Sequence, residues 1–158
     1  VVMSTVTEIV CKLQRYDVEK IADIISNFLL EKRLNDRFIT IFMGTIDKKT
    51  LLFSFISLGH EPAYLLRGGN IIKLEADFLP AGIVKEKYVT KTVNLKKGDK
   101  LFLYTDGVVE YISYEEIEEQ LKNVEKTSLE DFVNSLYKRC VRNSKKQLDD
   151  FTCILIEI

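Results

Sequence analysis

Residues 98–110 read Gly-Asp-Lys-Leu-Phe-Leu-Tyr-Thr-Asp-Gly-Val-Val-Glu, and this stretch constrains the fold more than any other. Leu101, Phe102, Leu103 and Tyr104 form an unbroken apolar run between Gly98-Asp99 and Asp106-Gly107. Without alternation, such a run is a short strand buried on both faces and closed by a turn. Asp106 then stands where a rigid strand meets a glycine-permissive turn, which holds its side chain firmly yet leaves it open to solvent or ligand. Asp-Gly is also an ordinary turn dipeptide, so the stretch alone leaves both readings open.

The elements around it follow from periodicity. Val2, Val6, Ile9, Val10 and Leu13 recur at helical spacing, and a second helix is expected from Asp17, a plausible N-cap, with Val18, Ile21, Ile25, Phe28 and Leu29 on one face. Residues 38–46 and 51–58 are rich in Ile, Phe and Thr, with Asp47-Lys48-Lys49-Thr50 as a hairpin turn between them. Residues 63–66 and 71–74 make a second hairpin around Arg67-Gly68-Gly69-Asn70, and residues 88–95 read as an edge-ward strand. Ile117, Leu121 and Val124 mark a short acidic helix. A longer one starts at Ser128, where Ser-x-x-Asp resembles a capping box, and carries Leu129, Phe132, Val133, Leu136, Tyr137, Cys140 and Val141 as an apolar stripe. Residues 151–158 form the last strand.

This order is a helical pair over 1–33, strands over 37–105, helices over 114–143 and a final strand. Short strand connections make most pairing antiparallel, and helices at both ends of the chain can cover two stacked sheets. The expected fold is α+β, a four-layer α-β-β-α sandwich within a single domain spanning 1–158.

Charge and cysteine content narrow the function classes. The formal net charge of −1 gives no basic excess, which argues against nucleic acid as the main partner. No apolar run approaches the roughly 18 residues of a membrane span. Cys11, Cys140 and Cys153 have neither an even count nor metal-ligand spacing, as in reduced cysteines of a cytoplasmic protein. The chain opens on Val1 inside an apolar helical pattern, so an upstream continuation is expected.

If the strand ending at Asp106 and the one starting after Asp149 are antiparallel neighbours, two carboxylates converge at one sheet edge, with strands about 4.8 Å apart. Close like charges call for protonation, a basic partner or a bridging cation. An all-oxygen site suits Mg²⁺ or Mn²⁺ rather than zinc.

The motif Gly98-Asp99-x-Leu101-x-Leu103-Tyr104-Thr105-Asp106-Gly107-Val108-x-Glu110, with Asp149-Asp150-x-Thr152 after it, resembles the signature of bacterial PPM-type serine/threonine phosphatases. The nearest branch is the sporulation stage II protein E and stress-regulator group. Gly59-His60-x-Pro62, Leu79-Pro80-Ala81-Gly82-Ile83, Arg37-Phe38-x-Thr40 and Met3-Ser4 match that branch in order. The resemblance implies a Mn²⁺- or Mg²⁺-dependent hydrolase that removes phosphate from phosphoserine or phosphothreonine on a regulatory protein such as an anti-sigma-factor antagonist. It implies two ions in the intact site, with Asp106 and Asp149 as metal ligands acting catalytically through bound metal and water. Asp150, Gly107, Gly59 and His60 take supporting roles: the glycines serve backbone geometry, and His60 is a structural hydrogen-bonding residue.

The sequence also departs from the family pattern. Relatives carry further metal aspartates, including the bridging one, upstream of the first helix, and nothing here corresponds to them. Ser57-Leu58 replaces Asn-Ala before Gly59, and the loop after Glu110 is short. The chain is therefore expected to lack the first strands and to hold part of a metal site, with activity expected of the intact protein and doubtful for this chain alone. The alternative is a catalytically incomplete module that binds partners. An upstream sensor acting through the N-terminal helices and a homodimer built on an exposed sheet edge are further expected partners.

Overall fold

The structure is a computed structural model that describes residues 17–31, 38–75, 77–144 and 150–158. The expected helix over 1–15, together with Met3-Ser4, Cys11, Arg37 and Asp149, lies outside the described residues. Two compact units divide the chain: Val1–His60 with Ala76–Leu95, and Glu61–Glu75 with Lys96–Ile158.

In the first unit, helix α1 (Val18–Glu31) begins as expected at Asp17, whose Oδ1 accepts from the Lys20 N–H at 3.1 Å. Its apolar face, Val18, Ile21, Ala22, Ile25 and Leu29, is buried with Ile56, Leu58, Ala81 and Tyr88. Strands β1 (Ile41–Ile46), β2 (Leu52–Leu58) and β5 (Lys91–Asn94) form an antiparallel sheet in the order β1-β2-β5. At the β1–β2 turn, Asp47 Oδ1 accepts from the Lys49 and Thr50 amides at 2.8 and 2.9 Å. Those bonds occupy Asp47 as a turn former and hold its carboxyl below the usual range.

Two strands are shorter than periodicity predicts, for identifiable reasons. Ile39 leaves the β1 ladder to bridge Ala81. Residues 88–90 turn toward α1: the Tyr88 hydroxyl donates to Ser26 Oγ at 2.9 Å, and Glu19 Oε1 accepts from the Thr90 amide at 2.8 Å and its hydroxyl at 2.9 Å. Only Lys91–Asn94 remain to pair with β2.

In the second unit, β3 (Ala63–Arg67), β4 (Asn70–Leu74), β6 (Lys100–Tyr104) and β7 (Cys153–Glu157) form an antiparallel sheet in the order β4-β3-β6-β7. Leu101, Phe102 and Tyr104 are buried, as the apolar run predicts. Tyr64 lies opposite Phe102, and these rings with Leu66 and Tyr104 share a core with Ile117, Leu121, Val124, Phe132, Leu136 and Cys140. The helical residues come from α3 (Tyr114–Lys122), a 3-10 turn (Val124–Lys126) and α4 (Leu129–Asn143). Of the α4 stripe, Phe132, Leu136 and Cys140 are buried, whereas Tyr137 and Val141 stay 46% and 44% exposed. The stripe is wider than one sheet-facing row, and only residues four apart on a single line are fully buried, with Val133 packed against the margin of the core.

The α+β class and the antiparallel sheets match the expectation from sequence. Cys140 and Cys153 are free thiols, and burial raises both, Cys153 to about 11. Among the described residues, no helix is long and apolar enough to cross a membrane.

Candidate active site

The site is built where β6 ends. The last ladder pair is Tyr104 with Cys153, and hydrogen bonding then continues one residue further through a side chain. The Thr105 amide donates to the Thr152 carbonyl at 3.0 Å, and Thr105 Oγ1 accepts from the Thr152 amide at 3.3 Å. The Thr105 hydroxyl proton faces the carbonyls of Asp150 and Thr152, each at 3.4 Å. Thr105 is also the N-cap of the next helix, with φ −94° and ψ 166°, yet makes no side-chain cap bond. Its hydroxyl is used across the strands instead.

After Thr105 the backbone does not form the simple turn that Asp-Gly suggests. It enters a single helical turn, α2 (Asp106–Val109), in which Val108 N–H donates to Thr105 O and Glu110 N–H to Asp106 O, both at 3.0 Å. Four apolar residues followed by Asp-Gly carry no sign of this, because the turn is stabilised by tertiary burial of Val108. Asp106 Oδ1 accepts from the Gly107 amide at 3.0 Å, which satisfies a first-turn donor and fixes the carboxylate on an exposed rim.

Gly107 is where the two strand ends meet. A Cβ there would overlap the Asp150 carbonyl oxygen and come 3.5 Å from Phe151 Cα. The missing side chain is what lets the Asp150 backbone close on the helical turn. Asp106, Gly107 and Asp150 are thus brought together. Gly59 and His60 belong to the other unit. Gly59 has φ +62°, and a Cβ there would lie 2.5 Å from the Pro80 ring; His60 presents its ring to Phe42 edgewise at 6.5 Å.

Three further links in this unit were not legible as such in the sequence. Asn143 Nδ2 donates to the Tyr111 carbonyl at 2.9 Å, tying the end of α4 to the segment after α2. The Tyr114 hydroxyl donates to Glu61 Oε2 at 2.8 Å. Asp99, 2% exposed, anchors the entry to β6 through Arg67 and the Lys96 amide. A Gly-Asp dipeptide before an apolar strand signals a turn, and nothing in sequence joins it to an arginine 32 positions earlier.

As a donor, Asp106 is a hard oxygen on a fixed backbone, the type that suits Mg²⁺ or Mn²⁺. Among the described residues, however, no group of three or more His, Cys, Asp or Glu is arranged to hold a metal ion.

Comparison with known proteins gives a consistent family. The family model of stage II sporulation protein E matches residues 1–158. Stage II sporulation protein E of Bacillus subtilis is 28% identical over 148 residues, covering 89% of this chain and 18% of that protein. The phosphoserine phosphatase RsbU of the same organism is 29% identical over 129 residues, covering 75% of this chain and 38% of RsbU. The chain therefore spans well under half the length of either relative. The manganese-presoaked phosphatase domain of Bacillus subtilis SpoIIE superposes with a TM-score of 0.67 at 22% identity, covering 99% of this chain and 71% of that one.

Proposed function

Since the chain belongs to the stage II sporulation protein E family of phosphatases, matched over all its residues, we propose that the intact protein hydrolyses phosphoserine or phosphothreonine with divalent metal at the β6–β7 edge. The observation that carries this reading is the closure of the Asp150 backbone on Gly107 beside Asp106, secured by the Thr105–Thr152 bonds. Asp106 and Asp149 are metal ligands in this reading, and Asp150 supports them. A bound Mg²⁺ or Mn²⁺ supplies Lewis acidity and a hydroxide near neutral pH.

The chain's own residues supply position. The Gly107 amide orients the Asp106 carboxylate, and the Thr105 hydroxyl keeps Asp150 at the same edge. The substrate is a phosphorylated regulatory protein of the anti-sigma-antagonist type, and an upstream sensor regulates the enzyme through the N-terminal helices.

The test is manganese-dependent release of p-nitrophenol from p-nitrophenyl phosphate by the intact protein. Asp106→Asn abolishes it in this reading. Turnover that survives the substitution overturns the assignment, and calorimetry showing no divalent-metal binding by the intact protein leaves the non-catalytic interaction module.

A further inference from the structure

Helix α4 carries two features that folding of its own unit leaves unused. The first is the pair Tyr137 and Val141, large apolar residues nearly half exposed. The second is an open groove of about 390 Å³ along its polar side, lined by Asp131, Asn134, Ser135, Lys138, Arg139 and Arg142.

The two are continuous. Val141 is four residues from Tyr137 and three from Lys138, and Lys138 is four from Arg142, so each pair are neighbours on the helix surface. The groove is cationic in effect. Asp131 Oδ2 accepts from the Ser128 hydroxyl at 2.7 Å at the cap, and Arg139 pairs with Glu116 at 3.7 Å. Among the described residues, neither Lys138 nor Arg142 is in an ion pair. At its other margin the apolar pair reaches the candidate active site, since the Tyr137 ring meets Phe151 edge-to-face at 5.4 Å. Phe151 directly follows Asp150, whose carbonyl closes on Gly107.

We propose that Tyr137, Val141, Lys138 and Arg142 form the docking surface for the phosphoprotein substrate, receiving an apolar and acidic segment that flanks its phosphoserine. This rests on the phosphatase reading above. A segment with Leu-type residues covers Tyr137 and Val141, and its carboxylates meet Lys138 and Arg142, an arrangement that steers an anionic partner toward the Asp106 edge. A small phosphoester has no flanking segment and does not use the surface.

Two synthetic phosphoserine peptides, one flanked by Glu and Leu and one by Lys and Ser, test this on the intact protein alongside p-nitrophenyl phosphate. The first peptide is expected to have a kcat/KM about tenfold higher than the second, expressed in KM and weakened by salt. Lys138→Glu with Arg142→Glu erases that preference, Tyr137→Ala with Val141→Ser lowers it, and p-nitrophenyl phosphate turnover is unchanged in both. Equal turnover of the two peptides by the wild type, or parallel loss of p-nitrophenyl phosphate turnover in the variants, overturns the docking surface. Fluorescence anisotropy of the labelled peptides reads docking without catalysis. Selective binding with Asp106→Asn still active on p-nitrophenyl phosphate sinks the catalytic assignment and keeps the surface, whereas full loss of activity with unselective binding does the reverse.

Discussion

Arg67 Nη2 lies 2.6 Å from Asp99 Oδ2, and Arg67 Nε is shared between the two carboxylate oxygens at 3.0 and 3.2 Å, which joins the end of β3 to the entry of β6. The Lys96 amide adds a bond to Oδ2 at 2.8 Å, so a carboxylate only 2% exposed is well satisfied. The guanidinium, opposed by burial, holds the Asp99 carboxyl below the usual range. A lowered folded-state value contributes stability that is present above the ordinary carboxylate pKa of about 3.9 and lost as pH falls through the folded value. Asp99→Asn is expected to cost about 2–3 kcal/mol at neutral pH and to lose less than wild type on acidification below about pH 4. Urea melts at both pH values check this; equal losses in the two proteins would show that Asp99 is not the group responsible.

Gly107→Ala places a methyl against the Asp150 carbonyl, a backbone group that cannot rotate aside. The expected cost is about 1–3 kcal/mol, with faster amide exchange at Thr105 and Thr152 as the strand ends part. Gly98→Ala is the control: its added Cβ meets nothing within 4 Å, so only the φ of +88° resists it. If both variants exchange alike at Thr105, the close approach at Gly107 is not what holds the edge.

Thr105→Val keeps the shape of the side chain and removes its hydroxyl. The Thr152 amide loses its acceptor at 3.3 Å, and the carbonyls of Asp150 and Thr152 lose a donor. A loss of about 1 kcal/mol is expected, with Thr105→Ser close to wild type. Thermal melts of the two variants give the answer, and equal melting points would mean that the hydroxyl is not what holds the strand ends.

Ser113 and Glu116 form a reciprocal capping box: Ser113 Oγ accepts from the Glu116 amide at 3.2 Å, and Glu116 Oε2 accepts from the Ser113 amide at 3.1 Å. Ser113→Ala should destabilise α3 by about 1 kcal/mol, and Ser113→Asp should restore most of it. Circular dichroism during a urea titration follows both. No change in Ser113→Ala would mean that the buried Ile117 and Leu121 alone hold the helix.

What was legible in the sequence was what repeats. Residues 101–104 announced a covered strand because four apolar side chains leave no face for water, and the α1 face from Val18 to Leu29 was visible in its spacing. The antiparallel pairing of the strand before Asp106 with the last strand, posed from sequence only as a condition, is seen in the β6–β7 ladder. The illegible parts depend on partners distant in sequence. Tyr88 has the β-propensity of a strand residue, but its hydroxyl finds Ser26 across 62 positions. Ser113-x-x-Glu116 is as good a helix-start signal as Ser128-x-x-Asp131, yet the reciprocal box forms only at the former. At the site, residue types gave Asp106 its chemistry, while its exact setting, a helical turn closed against Asp150, came from burial of Val108.

The extra pairing at Thr105 ties the candidate site to strand register. Sliding β7 past β6 by one residue would turn its side chains to the opposite face and carry the Asp150 carbonyl away from Gly107, and a slip of two would keep the face but shift it by about 6.6 Å. Either slip takes Asp150 away from the turn that bears Asp106 while leaving an intact-looking sheet. The sheet register is therefore also the alignment of the site, and the Thr105 hydroxyl is the detent that keeps it.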